Sequence, residues 1–283
     1  MFHNAVVGVD DGTRAQDAIA LARLLLDRDG TVALAHVHAG DPRTLEVNPD
    51  YGAAERAESR ALLQATRSEA GIDAELLSVG SLSVGHGLHK IVAHHGADLM
   101  VLGSHRHSMF GRVTLSDHLR EALNGAACPV AVAPGGYAQR PGGLSTIGVG
   151  YDGSPESEHA LRVGRRLASE AGAKLSAFRA VSLMFGDQGN TATVNRVVGD
   201  ALERLAALGD VEPHATFGEA AEELALYGAS VDLLIVGSRS YGPIGRLVHG
   251  STSRRLAHIA RGAVLVLTRS ADRAGELAEV ETH

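Results

Sequence analysis

The 283-residue chain writes one pattern twice. From Asp232 the second half reads DLLIVGSRSYGPIGRLVHGSTSRRL, and from Asp98 the first half reads DLMVLGSHRHSMFGRVTLSDHLREAL. Asp232 matches Asp98, Gly237-Ser238 matches Gly103-Ser104, and Gly245-Arg246 matches Gly111-Arg112. The beginnings repeat too. Residues 147–151 close on Asp152-Gly153-Ser154 as residues 5–9 close on Asp10-Asp11-Gly12, and Ala160-Leu161 stands where Ala18-Ile19 did. A period of about 140 residues is a duplicated domain rather than a short solenoid repeat, and the length suits two domains of about 150 residues each.

Inside each copy, short apolar runs alternate with helical patterns. Residues 5–9, 31–37, 72–79, 98–102 and 130–133 read as strands in the first copy. In the second, 147–151, 174–181, 212–217, 231–236 and 263–267 do so. Helices are expected from Thr13 to Gly30, over 53–70, 83–95 and up to Asn124, then over 192–207, 219–227 and 254–260, with Ala160-Leu161 on a further one. Strands that are apolar throughout are covered on both faces, and their alternation with helices makes the sheet parallel. The expected fold is α/β, with two doubly wound domains, each a five-stranded parallel sheet with helices on both faces. The glycine- and proline-rich stretch PGGYAQRPGGLS (134–145) reads as the connector,. The expected boundaries are a domain at 1–135, a linker at 136–145, a domain at 146–269 and a fraying polar tail at 270–283.

Composition excludes several function classes. A formal charge of −7, no Trp and 4% aromatic residues leave neither a polyanion-binding surface nor stacking platforms for nucleic acid,. The lone Cys128 excludes a disulfide within the chain and suits a reducing compartment,. It precedes the apolar run 130–133 and reads as a buried structural thiol. The opening MFHNAVVGVDDG is not a basic region followed by an apolar one, and no apolar run approaches the ~20 residues of a membrane span,. A cytoplasmic protein without membrane association is expected.

The chemistry-bearing stretch follows residues 231–236. The strand stops at Gly237, a polar glycine-bearing loop follows, and Gly250-Ser251-Thr252-Ser253 opens a helix. Glycines admit close backbone approach to a phosphate, loop amides point inward, and first-turn amides and hydroxyls add donors. An ordinary strand-to-helix connection with a serine cap uses the same residue types. The related loop in the first half is what favours the anion cradle.

On these residues, from Ala5 to Leu267, the sequence resembles the universal stress protein family in its tandem two-domain form. The resemblance implies a Rossmann-like fold of the adenine nucleotide alpha hydrolase type. The family's ATP-binding members carry Gly, two residues, Gly, nine residues, Gly and then Ser or Thr, with a strand-1 Asp near the adenosine and a CPV-type final strand. The second copy keeps Gly237, Gly250 and Ser251 but has Ser240 as the middle residue. A Cβ there crowds the ligand side, costing on the order of a kcal/mol if φ is positive, while the hydroxyl is a possible donor.

The implied nucleotide-binding set is Gly150, Asp152, Ala180, Gly237, Ser238, Arg239, Ser240, Gly250, Ser251, Thr252 and Ser253. Asp152 would face the ribose or cap the following helix, Ala180 would offer backbone to the adenine, and the 250–253 stretch would hold phosphates. The first copy departs from the pattern: Arg106 and Ser116 replace the second and third glycines, and Asp117 stands where Ser or Thr belongs. A carboxylate there competes with phosphate for the same amides. Asp10 and Gly103 keep the architecture, with triphosphate binding lost or weak.

The implied ligand is ATP, with or without Mg²⁺, held mainly by the C-terminal copy of a stress-response sensor or regulator rather than a fast enzyme. A nucleotide-free interaction module and a slow ATPase or autophosphorylating protein are the alternatives. The family pairs domains through last strands, here 130–133 against 263–267 within the chain or between chains as a homodimer.

Other motifs carry less. Gly148, Gly150 and Gly153 fit G-x-G-x-x-G, but strand 2 offers Arg179 rather than an acid, and Asp152 lies inside the fingerprint,. His86, His89, His94 and His95 fall on one helix with His105 and His107 beyond, and read as solvated rather than as metal ligands. No Walker lysine motif, no G-x-S-x-G and no dedicated carboxylate cage occur, so no catalytic residue and no metal ligand is assigned.

Overall fold

The structure, a computed structural model, describes residues 1–10, 12–40, 49–104, 121–140, 142–182, 190–238, 252, 255–256 and 259–268. They form two compact units, one within residues 1–140 and one within 142–267.

The first unit runs β1 (Phe2–Gly8), α1 (Gly12–Leu25), β2 (Leu26–Ala39), α2 (Pro49–Ala70), β3 (Glu75–Ser81), α3 (Val84–His95), β4 (Leu99–Gly103) and β5 (Val130–Ala133), then a 3₁₀ turn at Tyr137–Gln139. Its strands pair in parallel in the order β3-β2-β1-β4-β5. The second unit runs β6 (Thr146–Gly150), α4 (Pro155–Ala171), β7 (Lys174–Val181), α5 (Thr191–Ala206), β8 (Glu212–Phe217), α6 (Ala220–Tyr227), β9 (Leu233–Gly237) and β10 (Ala263–Leu267). Its parallel order, β8-β7-β6-β9-β10, is the same topology. The fold class read from the sequence is therefore observed in both units.

Strand alternation puts helices on both faces. On β2, His36 meets Ser59 of α2 at 2.8 Å. The next residue, Val37, packs on α3, where a Cβ on Gly87 would come within 2.6 Å of it. On β6, Gly148 lies under the Tyr227 ring of α6, while Val149 abuts Gly164 of α4. Strands β4, β5, β9 and β10 are buried almost throughout, as strands covered on both faces must be. Caps end the helices where the sequence places them. The Ser83 and Ser154 hydroxyls accept from His86 and Ser157 amides, and Gly96 and Gly172 close α3 and α4 at φ 64° and 66°, a left-handed turn that glycine makes without strain.

Three details differ from the sequence reading. α1 begins at Gly12, one residue ahead of the expected Thr13 cap, and stops at Leu25, not at Gly30. The ladder pairs Phe2 with Leu26 and Asn4 with Thr31, so β2 bulges over the intervening residues. Turning there buries both Leu25 and Leu26. α2 starts at Pro49 rather than at residue 53, with proline in the first turn, where no amide donor is needed. The expected 136–145 linker is partly fastened: buried Asp17 of α1 accepts from the Gly136 and Ala138 amides, both at 2.8 Å. Cys128 is buried, and desolvation, with the charge of Asp98, pushes its thiol up to about 12. Among the described residues, no helix is long and apolar enough to cross a membrane.

Candidate nucleotide site

In the second unit the strand order reverses between β6 and β9, the place where open α/β sheets offer a crevice at their carboxyl ends,. Gly150 ends β6, Gly237 ends β9, and Ala180 lies near the end of β7. β7 runs on to Val181, three residues past Phe178, the last to pair with β6. A Cβ on Gly150 would come within 3.1 Å of both Leu224 and Val236. The end of β6 is therefore packed closely against α6 and β9.

Asp152 is exposed two residues beyond β6. Its Oδ1 accepts from the Ser154 amide at 3.0 Å and from the Ser154 hydroxyl at 2.6 Å. Ser154 in turn accepts from the Ser157 amide at 3.3 Å. Asp152 thus steadies the residue that caps α4 instead of capping it directly. Beside it, the Tyr151 hydroxyl donates to Glu158. Desolvation, and then that carboxylate, push the phenol up to about 12. Ser238 is buried, its amide donating to the Leu267 carbonyl at 2.9 Å.

Thr252 is helical and half-buried. Arg255 pairs with Glu222 of α6 at 2.7 Å and with Glu219, the residue that caps α6, at 3.7 Å. Arg239, Ser240, Gly250, Ser251 and Ser253 lie outside the described residues, as do Arg106, Ser116 and Asp117.

Two shared residues of the repeated frame have architectural roles. Asp98 accepts from the His3 and Asn4 amides, both at 2.9 Å. Asp232 accepts from the Ser145 and Thr146 amides at 2.9 and 2.8 Å. Each carboxylate pins the start of its neighbouring strand, at the end of the sheet opposite the crevice. The glycines pack helix on strand. A Cβ at Gly237 would lie 2.6 Å from the Glu156 carbonyl oxygen, and one at Gly103 would lie 2.5 Å from that of Arg14.

The paired helix starts differ in sign, Arg14 in one unit and buried Glu156 in the other. Of the triple-glycine fingerprint, Gly148 makes room for the Tyr227 ring and Gly153 adopts φ 84°. His89 bonds the Ala122 carbonyl at 2.8 Å, and His86 and His94 are exposed. Among the described residues no three His, Cys, Asp or Glu side chains gather in metal-binding range.

The equivalent ends of the first unit enclose a cavity of about 180 Å³. Val9, Ala35, Val37, Val84, Leu88 and Leu102 supply its apolar wall, and Asp10 and His36 its polar side chains. Its walls come from four separate segments of the chain, so its size and shape were not legible along the sequence. Arg14 holds Asp10 at 2.5 Å. His36 connects through Ser59 to Ser78, at 2.8 and 2.6 Å.

The family model for universal stress proteins matches residues 1–134 and 143–268. Universal stress proteins of Mycobacterium tuberculosis and Mycobacterium bovis are 28% identical over 289 aligned positions, covering 95% of this chain and 98% of theirs. A universal stress protein from Archaeoglobus fulgidus superposes with a TM-score of 0.67 at 17% identity, over 94% of this chain and 98% of its own. A functionally unknown protein from Pseudomonas aeruginosa gives 0.66 at 15%, over 98% and 97%. These structural likenesses establish the fold. With the family pattern matched once in each half of a duplicated α/β chain, this protein belongs to the universal stress protein family, in its tandem form.

Proposed function

We propose that the chain is an adenine-nucleotide-binding stress-response protein whose C-terminal unit holds ATP. The observation that carries this reading is the convergence at one reversal point of an exposed carboxylate, Asp152, the end of β7 at Ala180, which runs past its last pairing with β6, and Gly237 at the head of the glycine–serine loop. The described residues fit an adenosine. A backbone edge offers amide and carbonyl groups to the base, and a short acceptor suits a ribose hydroxyl.

In this reading Ser238 and Arg239 shape the loop, and Ser240, Gly250, Ser251, Thr252 and Ser253 hold the phosphates, with or without Mg²⁺. Nothing in it supplies a base aimed at a γ-phosphate, so the activity is binding and signalling rather than rapid turnover. The same reading is of a cytoplasmic protein that pairs its last strands within the chain or as a homodimer. Ser240 favours the second reading, a nucleotide-free interaction module, because it stands where the family pattern has its middle glycine.

Calorimetric titration with ATP and Mg²⁺ tests this. Saturation near one nucleotide per chain, abolished by Gly250→Asp, is the expected result. Absence of heat at millimolar ATP, in protein stripped of carried-over ligand, overturns it in favour of the interaction module.

A further inference from the structure

We infer that the open edge of β3, with an arginine stripe of α2 beside it, docks an extended acidic segment of another protein as an added strand. This docking neither uses nor requires a nucleotide. Among the described residues β3 pairs with β2 alone and ends the strand order. Alternate residues of such a strand turn their amide and carbonyl outward, a template for another chain. β8 ends the order in the second unit. Counted from Ala5 and Ile147, the matching residues of β1 and β6, Pro213 of β8 occupies the place of Leu76 in β3. Proline withholds an amide and blunts an edge against added strands. β3 has no proline, and its one charged residue, Glu75, stands at its first position.

Between α2 and this edge runs a groove of about 570 Å³. Leu63 and Leu76 give it an apolar floor, while Arg60, Gln64 and Arg67 of α2 and Ser78 of β3 supply polar groups. The buried Ser59 hydroxyl of α2 meets that of Ser78 at 2.6 Å, so the even-numbered residues of β3 face α2,. A Cβ on Gly87 of α3 would come within 3.2 Å of Ser81, so the odd-numbered ones face α3. A strand added beside β3 repeats that alternation. Its residues level with Leu76 and Ser78 lie beside the arginines, and those level with Leu77 and Val79 face the other side, where apolar groups fit.

Charge selects the occupant. Arg56, Arg60, Gln64 and Arg67 recur at helical spacing and share one side of α2,. The acids of α2 lie elsewhere. Glu55 and Glu58 act on His36, and Glu69 stands on the far side of the helix from Arg60,. Glu75 of the edge turns its carboxylate to the other face, toward His95 of α3 at 3.7 Å. Arg60 is exposed, and Arg67 reaches the Ala74 carbonyl at 3.5 Å along the groove wall. Carboxylates at the α2-facing positions of an added strand would pair with these guanidinium groups while its backbone pairs with β3. The favoured segment therefore alternates Asp or Glu with apolar residues.

The experiment is fluorescence anisotropy of a labelled peptide of alternating Glu and Val, titrated with the full chain at low salt. Saturation near one peptide per chain is the expected result. The same peptide N-methylated throughout keeps its charge but cannot donate to the ladder, and its affinity should be lower by tenfold or more. Arg60→Glu reverses a charge of the stripe at an exposed position, and Leu76→Pro gives β3 the residue that β8 carries. Each should lower affinity tenfold or more. Circular dichroism confirms that the variants are folded, and Arg60→Glu decides by itself where Leu76→Pro does not fold. Absence of binding at millimolar peptide, equal binding of the N-methylated peptide, or affinity unchanged in folded Arg60→Glu overturns the proposal. Self-association of the chain that Leu76→Pro abolishes also overturns it, by assigning the edge to a second copy.

Discussion

His36 sits half-buried on β2, hydrogen-bonded to Ser59 of α2, with His38 on its own strand, Asp10 beyond β1, and Glu55 and Glu58 on α2 around it. Desolvation lowers its pKa from 6.5, His38 lowers it further, and the three carboxylates oppose the shift without reversing it. Unfolding restores the ordinary value. Just below pH 6.5 the unfolded chain therefore binds more protons than the folded one at this residue. Its stabilising contribution is present above 6.5 and is lost as pH falls through that window,. The urea midpoint should accordingly fall more steeply between about pH 7 and about pH 5 in the natural chain than in His36→Gln, which keeps an amide opposite Ser59 but cannot titrate. Parallel slopes in the two proteins would show that His36 is not the group responsible.

At the scale of elements, two glycines of opposite meaning make a matched test. Gly237 ends β9 against the start of α4, where a Cβ would stand 2.6 Å from the Glu156 carbonyl oxygen. Neither backbone gives way easily, so Gly237→Ala should cost about 1–3 kcal/mol. Gly199 lies inside α5 with open space around it, and Gly199→Ala should stabilise the chain by about 0.5–1 kcal/mol through helix propensity and a less disordered unfolded state. Denaturant midpoints of the pair should therefore move in opposite directions. The caps at Ser83, Ser154, Gly96 and Gly172 were legible because a cap is a local event. The early stop of α1 was not, since it answers to the burial of Leu25 and Leu26 against distant strands.

Across the molecule, the connector is the telling stretch. Its prolines and glycines read as a free linker, yet α1 holds its first part through Asp17, 119 residues from Gly136 and 121 from Ala138. Asp17→Ala should release that turn, making proteolytic cleavage within residues 134–145 markedly faster and costing about 1–3 kcal/mol. Unchanged cleavage would mean that packing of the turn against α1 suffices without the carboxylate.

The duplication, the positions of most strands, the buried thiol and the family follow from the sequence by itself, because period, apolar alternation and motif spacing are recorded locally along the chain. What the repeated residues do was decided by the tertiary structure. Asp98 and Asp232 anchor strands, Gly103 and Gly237 seat helices, and a cavity opens in the unit whose loop departs further from the family pattern. Each of these depends on groups roughly ninety residues apart being brought within a few ångströms, and chain order carries no distance of that kind until the sheet has formed.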